Sequence, residues 1–539
     1  MKKIYYNGEF ITLENNNIEN IEAILIEDDI IKKVGSKEEI MHFKDFSTEV
    51  IDLKGKTIMP AFIDSHSHFI AVANKYLQVS LEECSSIEEV QEKLLKYKLE
   101  NNIENNKWII ADGYDNNNFF DKKHITKKQI DDILPNNPVV IKNKSGHSGV
   151  INTKGLKILN IDVNTPNPAG GIIGKENNEL TGYLEENAFI ENIKKVPMPN
   201  LKDIIKAVKK AEKEYFSYGI TTAQEGFMAK ELTSIYKEII RENNFKIDII
   251  AYIEKDIIKN IKNEFSKNFK KYYNHIKIQG IKIFLDGSPQ AKTAWMRTPY
   301  ESEKEYCGYG TMNDKDVENA LEQAYNEKIQ ILAHCNGDMA AKQYLESIDK
   351  VNKKIHDNIG KIRPVLIHGQ LLGIDQLPLI KKLEVIPSFF IAHVYYFGDI
   401  HTKNFGIERA SKISPAKSSL DNEILFTFHQ DSPVINPNMF ETIWCSVSRI
   451  TKNGKILGKD EKINVIDAIK AVTINGAYQY FEEDIKGSIK EGKKADLIII
   501  DKNPLKIDMS EIRNIKVLET IKNGETVYKN KKVDINVKR

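Results

Sequence analysis

Alternation constrains this chain more than any other feature: short apolar, strand-like runs separated by amphipathic helical stretches across most of its 539 residues. Eight runs stand out: MPAFIDSHSHF, GITTAQE, KIDIIAYI, IQGIKIFLDG, IQILAHC, RPVLIHG, LEVIPSFF and EILFTFHQD. Beyond the first gap they recur roughly every 25 to 50 residues, the scale of a βα unit. Strands joined by crossover helices lie parallel, and eight of them close into a barrel. The sequence therefore predicts an α/β chain, a (β/α)8 TIM-type barrel. The first gap is far longer and holds its own helices and the Gly-rich PNPAGGIIGKENNELTGY. It reads as an inserted subdomain after strand 1, lying over the barrel mouth.

Both ends read as β. KKIYYNGEFITL predicts a hairpin turning at Asn7-Gly8, AILIEDDIIKKVG a second at Asp28-Asp29, and VLETIKNGETVYKNKK a third at Asn523-Gly524. Each terminal piece is too small to fold alone, so the two are expected to pair as one small β-sandwich. The boundaries that follow are 1–59 and 485–539 for the sandwich and 60–484 for the barrel, with the insert at about 75–200.

Charge excludes several function classes. Lys and Arg number 78 against 77 Asp and Glu, a net charge of +1, so no basic footprint for nucleic acid or an anionic membrane is expected. No run reaches 18 apolar residues, and no signal-peptide pattern follows the first lysines. The four cysteines, Cys84, Cys307, Cys335 and Cys445, form no CxxC pair, which fits a reducing, cytoplasmic setting. A small-molecule substrate is the expected partner, with a homodimer allowed.

The polar residues that interrupt the apolar runs sit at their C-terminal ends, the face that carries the active site in such barrels. Run one ends in His66 and His68, which an extended strand would point to one side. Alone an HxH is weak. Run five places His334 at its tip, run six His368, and run eight Asp431. Imidazoles and a carboxylate converging at one rim, open to water, describe a catalytic divalent-metal site, with Zn2+ the expected ion. Asp431 is the candidate for moving protons. Phe389, Phe390, Tyr395 and Trp444 follow runs seven and eight and are candidate substrate walls, with His393 beside them.

HSH after an apolar strand, His residues on strands five and six, and Asp on strand eight resemble the amidohydrolase superfamily. SGHSGVINTKGL, GITTAQEG, IKIFLDGSPQAKTA, HCNGDMA and KGSIKEGKKADLIIID narrow the resemblance to amidohydrolase family 3. Within it, PSFFIAHVYYFGDIHTKNFGIERASKISP and DSPVINPNMFETIWCSVSRIT are similar to N-substituted formamide deformylases. The resemblance implies one or two metal ions, and a strand-four lysine, Lys282, carbamylated as a bridging ligand. Glu186 and Glu225 are rival acids for that role. It implies hydrolysis of a C–N bond, in an amide or N-substituted formamide, by a metal-activated hydroxide with Asp431 as proton shuttle. His147 would hold the substrate oxygen. Deamination or cyclic-amide opening on the same centre, or an inactive binding protein of the same fold, are the alternatives. Where the family often has Glu before the strand-six His, this chain has Ile367.

Overall fold

The computed structural model describes residues 2–14, 21–144, 147–197, 199–301, 303–530 and 537–538. The chain divides into two compact units, one of Met1–Ile70 with Glu212–Arg539 and one of Ala71–Ala211.

The larger unit holds an eight-stranded parallel sheet. Its strands are β1 (Phe62–Ile63), β2 (Ile220–Met228), β3 (Asp248–Glu254) and β4 (Ile276–Phe284), then β5 (Gln330–Cys335), β6 (Val365–His368), β7 (Ile386–Phe389) and β8 (Thr427–Phe428). Neighbours in sequence are neighbours in the sheet. Beyond the last strand the chain bonds back to the first: Asp431 N donates to His66 O at 3.2 Å and His68 N to Ser432 O at 2.8 Å. The rim is thus closed where the candidate ligands lie.

Period-two alternation decides what fills the interior. Ile250, Tyr252, Leu332, Val365, Ile367 and Ile386 form one buried cluster, continued by Ala477 and Tyr480. These side chains fill that part of the interior as a packed core. One group of buried charges sits at the strands' N-terminal end. Asp248, at the start of β3, accepts from Lys486 Nζ at 3.0 Å, Lys522 Nζ at 2.5 Å and His275 Nδ1 at 2.8 Å. Lys522 also donates to Asp496, and Lys486 pairs with Glu482. This network ties the barrel to the C-terminal segment.

That segment and the N-terminus share two five-stranded sheets. One contains Lys2–Tyr6, Ala23–Glu27, Ile30–Gly35, Glu49–Asp52 and Val537–Lys538; the other contains Glu9–Phe10, Thr57–Pro60, Leu497–Ile500, Val517–Lys522 and Glu525–Lys529. The turns at Asp28-Asp29 and Asn523-Gly524 join antiparallel pairs. The expected hairpin at Asn7-Gly8 does not form. Lys2–Tyr6 pairs with Glu49–Asp52 and Ala23–Glu27, whereas Glu9–Phe10 pairs with Thr57–Pro60 in the other sheet. Asn7 takes the positive φ of 57° that its turn needs, but the chain crosses between layers there. Leu53 and the Lys56 carbonyl crowd Gly8 so closely that a Cβ would meet them at 2.5 and 2.6 Å.

The unit of Ala71–Ala211 carries a six-stranded sheet ordered Gly171–Glu176, Glu179–Glu186, Ser148–Ile151, Val139–Asn143, Ile109–Tyr114, Val79–Ser80. Separate apolar clusters, one around Leu94, Ile130 and Ile141 and one around Val140, Leu156 and Phe189, give it a core of its own.

Candidate metal centre

Strand β1 ends at Ile63, so His66 and His68 sit in the loop beyond it and not on a continuing strand. Their convergence comes from the loop's backbone bonds to the segment after β8. The two rings lie 5.3 Å apart, centre to centre. His66 Nε2 is 3.5 Å and His68 Nε2 3.4 Å from Asp431 Oδ1, and His368 Nε2 is 4.0 Å from Asp431 Oδ2. One donor atom from each of His66, His368 and Asp431 falls within 4.8 Å of the others. Asp431 Oδ1 is enclosed and has no hydrogen-bond partner among the described residues. A buried carboxylate oxygen ringed by imidazole nitrogens, with no proton donor of its own, is a donor set suited to a cation.

His368 reaches this set against the alternation of its strand. Ile367 belongs to the barrel interior, so regular alternation would send His368 outward. Its backbone takes a φ of 74°, breaking the alternation at the strand end.

Each ligand candidate has a partner that fixes its ring. His66 Nδ1 lies 2.6 Å from Gln224 Oε1, and Gln224 Nε2 donates to Ser65 O and Tyr480 OH. His66 Nε2 is thereby left facing Asp431. Glu225, buried and accepting from Tyr236 OH and Ile70 N, stands 3.8 Å from His68 Nδ1. His334 Nδ1 lies 3.1 Å from Asp286, whose carboxylate also accepts from the backbone N–H groups of Trp295, Asn336 and Gly337. The His334 ring packs 4.6 Å from that of His368. Gly226 makes room for all this: a Cβ there would fall 2.5 Å from His66 Cε1.

Burial pushes the His66 and His368 pKa values well below the ordinary imidazole range, favouring the neutral rings that metals bind. Burial also opposes charge on His68, but Asp431 and Glu225 outweigh it and raise its pKa to about 9. Burial alone would raise Asp431, yet the surrounding histidines hold it well below the usual carboxylate value. Lys282 points inward from β4, is 2% exposed, and places Nζ 3.5 Å from His66 Nε2. Among the described residues no carboxylate lies within ion-pair distance of it, and burial lowers its pKa to about 7.

The remaining candidates divide. Phe390 packs 5.6 Å from the His429 ring and 6.4 Å from His368. His393 follows it at 4.5 Å. Phe389 does not join them: Ser388 turns inward to His429 Nδ1 at 2.8 Å, so the next side chain goes to the other side and packs on Phe426. Tyr395 and Trp444 pack on each other, with the Arg513 guanidinium 4.9 and 4.3 Å from their ring centres. Among the described residues their other ring and cation contacts are with Tyr396 and Arg513, and none is with the histidine cluster. His147 and Glu186 lie in the unit of Ala71–Ala211, exposed, 3.0 Å apart.

Sequence reading missed His429, whose Nε2 is 3.2 Å from His368 Nδ1. Its signal was present: it stands two residues from Asp431 and, by alternation, on the inward face with Thr427. Also missed were Phe227 and Phe284, rings 5.1 Å apart, with Phe284 5.8 Å from His334 and 38% exposed at the end of β4.

Comparison with known proteins agrees with this architecture. The amidohydrolase family model matches residues 49–528. The chain is 26% identical to the YtcJ protein of Bacillus subtilis (strain 168), covering 98% of this chain and 99% of that one. It is 23% identical to an N-substituted formamide deformylase of Arthrobacter pascens, over 94% and 95% of the two chains. The crystal structure of an uncharacterized metal-dependent hydrolase from Pyrococcus horikoshii OT3 superposes with a TM-score of 0.75 at 25% identity, covering 95% of this chain and 99% of that chain. With an imidazole–carboxylate cluster at the rim of a parallel eight-stranded sheet and a family match across nearly its whole length, the chain belongs to the amidohydrolase family and is a hydrolase of carbon–nitrogen bonds.

Proposed function

We propose that the protein hydrolyses an amide or N-substituted formamide, using Zn2+ or a similar divalent ion held by His66, His68, His368 and Asp431. The observation that carries this reading is the enclosed, unbonded Asp431 Oδ1 facing two imidazole Nε2 atoms at 3.4 and 3.5 Å. His334, held by Asp286, and Lys282, carbamylated as the family resemblance implies, complete the donor set for a second ion. When bound, the metal supplies Lewis acidity, acidifying water and polarising a carbonyl.

The chain's own groups do the rest. Asp431 accepts the proton of the attacking water on a carboxylate oxygen and returns it to the leaving nitrogen. Gln224 and Glu225 hold the rings of His66 and His68 so that the carboxylate keeps its position between them. Phe227, Phe284 and Phe390 offer an apolar wall beside the cluster, which suits an aromatic or alkyl N-substituent.

The test is a screen of N-benzyl- and N-alkylformamides and simple amides, following release of the amine. Turnover that disappears on chelation and returns with Zn2+ supports the reading. Full activity in protein shown by elemental analysis to be metal-free would end it.

A further inference from the structure

His393 and His401 lie eight residues apart on one helical segment, and their rings stack at 5.2 Å with His393 Nδ1 3.0 Å from His401 Nε2. Both are buried, His401 completely. A pair so close shares one proton, and the rest of the structure decides which ring supplies it. His401 Nδ1 is enclosed and has no hydrogen-bond partner among the described residues. His393 Nε2 has no partner among the described residues either, but it is not among the sealed polar atoms.

Two arrangements are possible for two neutral rings, and burial keeps both neutral at pH 7. If His393 Nδ1 donated, His401 would carry its only proton on the sealed Nδ1, leaving a buried N–H without an acceptor. Orphaned buried N–H groups are the rarest kind of unpaired polar atom. If His401 Nε2 donates, the sealed atom is a bare lone pair, and His393 must carry its proton on the open Nε2. The second arrangement avoids the buried orphan donor.

We infer that His401 is a positioning residue that fixes His393 as an Nε2–H donor, and that His393 uses this donor to hold an oxygen acceptor of the substrate away from the scissile bond. This rests on the hydrolase reading above. The Phe390 ring packs on both groups, 4.5 Å from the His393 ring and 5.6 Å from that of His429. That packing puts His393 beside the apolar wall. A neutral donor there selects substrates bearing a carbonyl or ether oxygen, and it cannot act as the general base.

The experiment uses the full-length, metal-loaded enzyme labelled with ring-15N histidine, with the His393→Gln spectrum identifying the His393 signals. The expected result is a protonated Nε2 and an unprotonated Nδ1 on His393. The Nε2 signal should shift as N-(para-methoxybenzyl)formamide, whose ether oxygen lies away from the scissile bond, is added, and not with N-benzylformamide, which has no second oxygen. His401→Phe should scramble the tautomer, whereas His401→Gln, whose amide can donate in place of Nε2, should keep it. For a formamide or amide that is turned over and bears such a second oxygen, His401→Phe should raise KM roughly 10-fold, the worth of about one hydrogen bond, with kcat and metal content unchanged. His401→Gln should restore KM. A protonated Nδ1 on His393 in the unsubstituted enzyme overturns the inference, as does a His393 Nε2 signal indifferent to the methoxy-substituted formamide. Should no amide be turned over, the hydrolase reading fails on its own terms while the spectra still decide the tautomer.

Discussion

Gly226 and His66 occupy complementary space: a Cβ on Gly226 would lie 2.5 Å from His66 Cε1 and 2.9 Å from its Nδ1. The neighbouring backbone cannot yield, because Gly226 N donates to Ser67 O at 2.8 Å. Gly226→Ala should therefore tilt the His66 ring away from Gln224 and Asp431. Activity is expected to fall at least about 10²-fold, the scale on which small misplacements act, with lower metal occupancy by elemental analysis. The melting temperature should move by only a few degrees. A variant with full metal content and full activity would show that the ring has slack.

Asp431→Asn tests proton transfer directly. The amide keeps size and polarity but cannot accept a proton. The expected outcome is a kcat lower by about 10²–10⁴-fold with KM little changed. Wild-type kcat in a variant that still holds metal would remove Asp431 from the chemistry.

Asp248 carries a pH prediction. Burial opposes its ionisation, but Lys486, Lys522 and His275 hold its pKa well below the ordinary value. A carboxylate depressed in the folded state stabilises fully above its unfolded pKa of about 3.9, and that stability is lost as pH falls toward the folded value. Urea midpoints should thus drop as pH is lowered below about 4. Asp248→Asn should lose about 3–5 kcal/mol at pH 7, because two buried lysines lose a partner, and its acid limb should be flatter than wild type. An acid limb of equal steepness in the variant would assign acid sensitivity to other carboxylates.

Arg449 is fully buried and is satisfied by backbone alone. Its guanidinium donates to Leu457 O and Ile413 O at 2.8 Å and to Ser414 O at 3.4 Å. Replacing it with Met removes the guanidinium donor of the Leu457 and Ile413 carbonyls in a sealed site, at about 1–3 kcal/mol each, whereas Ser414 O keeps the Ala416 N–H at 2.7 Å. Arg449→Met should unfold at markedly lower urea, and Arg449→Lys should recover only part, since an ammonium cannot span the same fork. Equal midpoints for all three proteins would contradict the accounting.

The eight-strand barrel and the ends of strands five, six and eight were legible because alternation and turn chemistry are local properties. The apolar runs around Ile250, Leu332 and Val365 mark inward faces wherever the rest of the chain goes, and His334 and Asp431 follow from where such runs stop. Three things lay outside that reach. Asn7-Gly8 has a hairpin's sequence, yet Glu9–Phe10 found a better partner in Thr57–Pro60, and no local signal ranks distant partners. His368 joins the cluster through a backbone φ of 74°, a departure from strand geometry that its residue type does not announce. Phe389 and Phe390 are identical as residues, but one faces Phe426 and the other the histidines, because a one-residue step in a strand reverses direction. Sequence determined which residues could bind a metal and on which rim. Only the closing of β8 onto β1, through Asp431 N to His66 O, decided that they meet, because contact between segments so far apart in the chain is a property of the assembled sheet and of none of its strands.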